Sequence, residues 1–288
     1  MEEVYVSTGG FGQFLVENTA RNFNEVGIKN IELSGGIISP KTLSCLKKLR
    51  KKNCKFILHN YFPKPMGEDF VLNLGSSNQI IKSQSRELIL NALRWSSELH
   101  SKLYAIHAPF RLDPCVSDLG KGFPSTGLQN VNETVKIFCN EYNELRVIGK
   151  KLGVELAIEN NVLSAIDFDT FGREHPFIFT GLDCDIFSKY IGQDYSVLAD
   201  LAHLKVSANS LQMNPWHILS ALRNKISWFH LSENDGLTDT NTSFNDSAWF
   251  WKSPDLISSP VTIEVYNESA CSLKKIQKYV KEKLYSEL

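Results

Sequence analysis

The sequence predicts a (β/α)8 TIM barrel, one domain over residues 1–288. Three observations predict it. The length, 288 residues, exceeds only slightly the roughly 250 that one such barrel needs. Eight short apolar runs alternate with longer helical stretches and no linker divides them. The chemically active residues fall where those runs end, the face on which α/β barrels carry their sites.

The first run is Val4–Ser7, ending at Gly9-Gly10, and the second is Asn30–Leu33, ending at Gly35-Gly36. Lys55–His59, Leu103–His107, 154–159, Ser196–Asp200, 226–230 and 261–265 complete the eight. Each is mostly apolar, as a strand covered on both faces of a parallel sheet should be. The intervening stretches read as helices. Ser39-Pro40 opens one as cap and first-turn proline, with Leu43, Leu46 and Leu49 along one face. Others are expected over 86–100, 131–152 closing at Gly153, 215–224 and 272–288. The sixth connection is less regular. Two long loops, 111–129 and 235–259, the latter with Trp249, Phe250 and Trp251, are expected over the barrel mouth as lids.

Composition excludes several classes. With 31 basic and 32 acidic residues the net charge is −1, so a nucleic-acid partner is not expected. No apolar run approaches the roughly 20 residues of a membrane span, and the start has neither the basic nor the apolar stretch of a signal peptide. Six scattered cysteines with no C-x-x-C pair read as reduced thiols of a cytoplasmic protein. No Gly-rich loop is present to hold a dinucleotide or ATP. The sequence leaves oligomer formation open.

The third run ends at His59, the fourth at His107, the fifth at Glu159, the sixth at Asp200 and the seventh at His230. The eighth contains Glu264, and His203 lies one turn after Asp200. Taken singly, each has a bland explanation. A lone histidine at a strand end is usually a hydrogen-bonded structural group, Glu264 can face outward, and Asp200 can cap a turn. Taken together, four of seven histidines share one location with three carboxylates. Burying several carboxylates side by side is costly unless a cation neutralises them. A divalent metal is therefore expected. Carboxylate and imidazole without thiolate suit Mn, Zn, Co, Mg or Fe, and nothing in the sequence selects among them.

At these residues the chain resembles the xylose-isomerase-like TIM-barrel superfamily of sugar isomerases, sugar epimerases and endonuclease IV repair enzymes. The matching segments are Ile-Glu-Leu-Ser-Gly (31–35), Leu-His-Asn-Tyr (58–61), Ile-His-Ala-Pro (106–109), Ala-Ile-Glu-Asn (157–160), Asp-Leu-Ala-His (200–203), Phe-His-Leu-Ser (229–232) and Ile-Glu-Val-Tyr (263–266). The resemblance implies that Glu159, Asp200, His230 and Glu264 are metal ligands. It implies that His203 contacts substrate or an extra metal, and that His59 and His107 bind a second metal or the substrate. The segment 70–75 is also similar to the nuclease branch. That branch needs an Asp-x-His after strand seven, whereas this chain has Asp239-Thr-Asn241. The epimerase branch usually has an Arg there, and none occurs between His230 and Lys252.

The activity this implies is a divalent-metal-dependent isomerase or epimerase of a small sugar or sugar phosphate. Glu159 and Glu264 would move protons beside a carbonyl. The alternatives are an endonuclease IV-like phosphodiesterase using His59, His107 and Glu159, and a non-catalytic ligand-binding barrel. Residues 267–270 are expected either to open a helix that receives a phosphate or merely to cap it.

Overall fold

Eight parallel strands close in chain order into one barrel in a computed structural model that describes residues 3–65, 67–181, 183–257 and 260–285. They are β1 (Val4–Ser7), β2 (Asn30–Leu33), β3 (Lys55–His59), β4 (Leu103–His107), β5 (Glu155–Glu159), β6 (Ser196–Asp200), β7 (Ile226–Leu231) and β8 (Val261–Ile263). β8 pairs with β1 through Val4↔Val261 and Val6↔Ile263, which closes the ring. The (β/α)8 architecture expected from the alternation is thus present, with strand bounds within two residues of expectation. Glu264 lies one residue past β8, yet its N–H still donates to the Leu231 carbonyl at 3.0 Å, so the ladder fixes its position.

Side chains alternate across each strand. One set packs outward against the helices and includes Val4, Val6, Ile31, Leu33, Leu58, Ile106 and Ile158, all fully buried. The other set points into the barrel. There Tyr5, Ile57, Leu103, Ala105, Ala157, Leu198 and Trp228 form a separate apolar cluster. The indole N–H of Trp228 donates to Thr262 Oγ1 at 2.9 Å, so this lower storey leaves no dangling donor there.

The helices are α1 (Val16–Glu25), α2 (Thr42–Arg50), α3 (Gln79–Glu98), α4 (Val131–Lys151), α5 (Ala165–Phe171), α6 (Ser188–Ile191), α7 (Leu201–Ser210), α8 (Pro215–Leu222) and α9 (Ala270–Tyr285). α2 starts two residues later than the Ser39-Pro40 pair suggests. Ser39 and Thr42 instead both donate their hydroxyls to Glu17 at 2.6 Å, which ties the turn before α2 to α1. α3 begins seven residues earlier than expected, because Asn78 accepts from the Ile80 N–H and caps it. Its first turn carries a 70% exposed Ile80 and so lacks the periodic face that marks the rest. α4 ends before Gly153 at φ +74°, as its sequence predicts. The irregular sixth connection is two helices, α7 and α8. Ser269 Oγ accepts from the Ser272 N–H, so residues 267–270 do cap α9. The expected end of α9, 286–288, lies outside the described residues.

The two long loops behave differently. Loop 111–129 crosses the mouth, anchored by Arg111, whose guanidinium donates to the carbonyls of Gln129, Glu174 and His175. Loop 235–259 does so only through its first residues, and positions 258–259 lie outside the described residues. Its aromatic residues do not cover the mouth as expected. Trp249 packs on Trp216 of α8 at 4.9 Å, Trp251 on Tyr279 of α9 at 6.0 Å, and Phe250 is fully buried between them. Rings of this size bury more area on the barrel flank than over an open mouth, and the flank wins. No helix among the described residues is long and apolar enough to cross a membrane.

Candidate active site

Barrel closure brings the strand-end residues into one buried group. In the β4–β5 ladder His107 stands opposite Glu159, and in the β6–β7 ladder Asp200 stands opposite His230. Glu159 Oε2 lies 2.6 Å from His59 Nε2 and 3.3 Å from His107 Nε2. His230 Nδ1 lies 2.8 Å from Glu264 Oε2, 3.6 Å from Asp200 Oδ2 and 3.8 Å from Glu159 Oε1. Glu159, Asp200 and His230 have no exposed surface, and Glu264 has very little. All seven residues named from the sequence are therefore brought together.

Asp200 does two things at once. Its Oδ1 accepts the His203 N–H at 2.7 Å and so caps α7. Its Oδ2 is buried with no hydrogen-bond partner. The bland explanation of Asp200 as a cap is true of one oxygen and leaves the other free. His203, in the first turn of α7, has Nδ1 3.0 Å from the Asn160 carbonyl and Nε2 3.2 Å from Asp239 Oδ2.

Ligand atoms of Glu159, Asp200, His230 and Glu264 lie within 4.8 Å of one another, close enough to share one cation. A second such group is His59, His107 and Glu159, and a third is Glu32, His59, His230 and Glu264. Four buried carboxylate oxygens in this region, Glu32 Oε1, Glu159 Oε1, Asp200 Oδ2 and Asp239 Oδ1, lack a hydrogen-bond partner. An ionised oxygen stranded in the interior is expensive. Two of the four, Glu159 Oε1 and Asp200 Oδ2, face His230 Nδ1, so the donor set fits a divalent cation of the kind that oxygen and imidazole ligands prefer. No group of three or more close donors among the described residues includes Asp239. Asn241 donates to Asp239 at 3.3 Å and accepts from Ser232, an amide where a third imidazole would be needed.

Charge is distributed unevenly over the cluster. Burial would raise the Glu159 carboxyl, but His107, His59 and His203 outweigh it and hold the group well below the usual carboxylate range. Burial is outweighed in the same way at Asp200, by His203 and His230. Glu264 goes the other way: burial pushes it up despite His230. His230 and His203 are lifted well above the ordinary imidazole value, against burial, by their carboxylates. His107, for which burial dominates, is pushed down to about 4.

Three partners were not singled out as site residues from the sequence. Glu32, fully buried on β2, has Oε2 2.7 Å from His230 Nε2. Its signal was present, a Glu between Ile31 and Leu33 in a strand, the same pattern as Glu264. Tyr266 donates its hydroxyl to Glu264 Oε1 at 3.0 Å and packs so tightly on Gly9 that a Cβ there would sit 2.7 Å from the phenol oxygen. Asn160 pairs with the Asp200 backbone, donating to its carbonyl and accepting from its N–H. Neither of the last two has a sequence signal beyond adjacency to a motif.

Above the cluster a cleft of about 510 Å³ opens between the loops after β3, β4, β5 and β7, and His107, His203 and Asp239 form part of its wall. Among the described lining residues the one Lys or Arg is Lys64, which is paired with Asp69 at 2.9 Å.

No protein-family model matches the chain, and no curated protein matches it by sequence. Solved structures do match in shape. A D-tagatose 3-epimerase-like protein aligns with TM-score 0.71 at 18% identity, covering 99% of both chains. A 3-keto-D-glucoside 4-epimerase, YcjR, from E. coli aligns with TM-score 0.68 at 12% identity, over 97% of this chain and 98% of that one. An AP endonuclease, family 2, from Brucella melitensis aligns with TM-score 0.63 at 14% identity, over 97% and 99%. At the level of fold, the chain is a (β/α)8 barrel that shares its shape with these structures.

Proposed function

We propose that the protein is a divalent-metal-dependent isomerase or epimerase of a small polyhydroxy carbonyl compound. The observation that carries this reading is the convergence of Glu159, Asp200, His230 and Glu264 at the floor of a cleft sized for a small molecule. The shape likeness to sugar epimerases adds an analogy of fold. A cation held by those four residues would supply polarisation of the substrate carbonyl and stabilise the charge that grows on its oxygen.

The protein's own part is proton transfer. Glu159 ends β5 and Glu264 follows β8, so they approach the site from different sides of the barrel. One takes the proton from the carbon beside the carbonyl, and the other returns a proton to that carbon or its neighbour. Tyr266 holds Glu264 in place through Oε1. His203, fixed by Asn160 and Asp239, stands at the cleft wall where a substrate hydroxyl would lie.

The test is a set of ketoses, aldoses and their phosphates incubated in deuterated water with added Mn or Co and read by NMR. Deuterium on the carbon next to the carbonyl is expected. Conversion without deuterium would replace proton transfer by a hydride shift, and no conversion of any sugar would sink the reading. One observation favours a second reading, a metal-dependent phosphodiesterase: His59 and His107 both approach Glu159 Oε2 and make a second donor group. Strong cutting of an abasic-site duplex by the pure protein would put that reading first.

A further inference from the structure

The walls of the cleft do not match its floor. One side is built by Phe110, Phe123 and Phe177, with Phe123 stacked on Phe177 at 5.1 Å and Phe110 edge-on to both at 5.8 Å. The loop after β3 adds Tyr61, edge-on to Phe70 at 5.3 Å. At the rim Val116, Leu119 and Ile166 are 43%, 47% and 52% exposed, although each is large and apolar.

The polar groups in these walls are already spent on one another. Asn161 donates to the carbonyls of Ala108 and Ile178. Ser164 donates to Asp167, which also accepts from the Phe123 N–H. The Tyr61 hydroxyl accepts from the Phe70 N–H. Three exceptions lie beside the floor: Asn60 Oδ1, His107 Nδ1 and Asp239 Oδ1 are buried without a partner. A sugar hydroxyl placed between these walls would lose its water and gain little in exchange, whereas an apolar ring would lose nothing. Nor does any unpaired Lys or Arg among the described lining residues await a phosphate. The volume also exceeds what one sugar ring fills and lies within the range of sites for drug-sized ligands.

We infer that the substrate is an uncharged conjugate, a polyhydroxy carbonyl unit joined to an apolar, ring-containing group. The polyol unit sits at the floor by Asn60, His107 and His203, and the ring fills the cleft among the aromatic side chains that line it. This rests on the isomerase or epimerase reading for the reaction, but the cleft assignment has its own measurement. An aryl glycoside carries the same polyol and ring with its carbonyl locked as an acetal, so it serves as a non-reacting probe of binding.

The test is titration calorimetry of the Mn-loaded protein with phenyl and methyl β-D-glucosides, and with glucose and glucose 6-phosphate. The phenyl glycoside should bind at least about tenfold tighter than the methyl one, as burial of a ring predicts, and the phosphate should add nothing. Val116→Asp and Ile166→Asp change exposed rim positions without touching the metal group. They should remove the aryl preference while bound Mn stays unchanged. Equal affinity for phenyl and methyl glycosides, including failure of both to bind, overturns the inference, as does tighter binding of the phosphate. The deuterium measurement separates the two readings. Aryl preference without exchange on any sugar would leave the cleft assigned and sink proton transfer, whereas exchange on free sugars without aryl preference would do the reverse.

Discussion

The barrel interior has two storeys built by the same strands, two residues apart. In the lower, Ile57, Leu103 with Ala105, Ala157, Leu198 and Trp228 are an apolar plug. In the upper, the next inward positions of β3, β4, β5, β6 and β7 are His59, His107, Glu159, Asp200 and His230. Backbone geometry and burial are alike, and only the chemistry changes. The lower storey lowers free energy by excluding water. The upper storey collects four carboxylates and four imidazoles in the same interior, an arrangement that folding alone does not favour. The difference assigns stability to one layer and function to the other, as the bottom and top faces of such barrels divide their roles.

A lower-storey change should therefore cost stability and spare the chemistry. Trp228→Ala empties the largest side chain of the plug and strands the Thr262 hydroxyl. A loss of about 3–5 kcal/mol is expected in denaturant unfolding. The fraction that remains folded should bind Mn with wild-type affinity. A loss of metal affinity with little loss of stability would break the division.

The converse change is Glu264→Gln in the upper storey. Burial already disfavours the charge of Glu264, so a neutral amide of the same shape should leave the metal-free protein as stable as wild type, within about 0.5 kcal/mol. Activity should fall by more than about a hundredfold, because even outer partners of metal sites are worth ten to a hundredfold. The thermal stabilisation that added Mn gives the wild type should shrink in the variant. Full activity in the variant would mean that Glu264 is a bystander.

The two storeys were not equally legible in the sequence. Strand positions were readable because eight apolar runs, each buried on both faces, leave little ambiguity about parallel strands. The polar strand ends were readable because His59, His107, Glu159, Asp200 and His230 interrupt those runs at equivalent places. What escaped depended on tertiary contact. Glu32 carried the same strand-embedded pattern as Glu264, but its partner was invisible, because only barrel closure brings it to His230, 198 positions away. The three tryptophan-loop aromatics were read as a lid because a long loop after a strand usually covers the mouth. Their destination was set by the partners Trp216 and Tyr279 on α8 and α9, which no local pattern announces.

Glu32 also offers the finest test of where the upper storey ends. His230 stands between two carboxylates, Glu264 at Nδ1 and Glu32 at Nε2. For Nδ1 to ligate a cation it must give up its proton, so Nε2 keeps its own and Glu32 accepts that hydrogen bond. On this account Glu32 orients His230 and makes it a better donor without touching the metal. Glu32→Gln keeps an acceptor oxygen but loses the charge. Metal affinity, titrated with Co(II), should fall by about ten to a hundredfold, while the shape of the Co(II) absorption band stays as in wild type. At saturating metal the activity should largely recover. The alternative is that the cation uses the third donor group, Glu32 with His59, His230 and Glu264. Glu32 would then be a ligand, the Co(II) spectrum of the variant would change shape, and saturating metal would not restore activity.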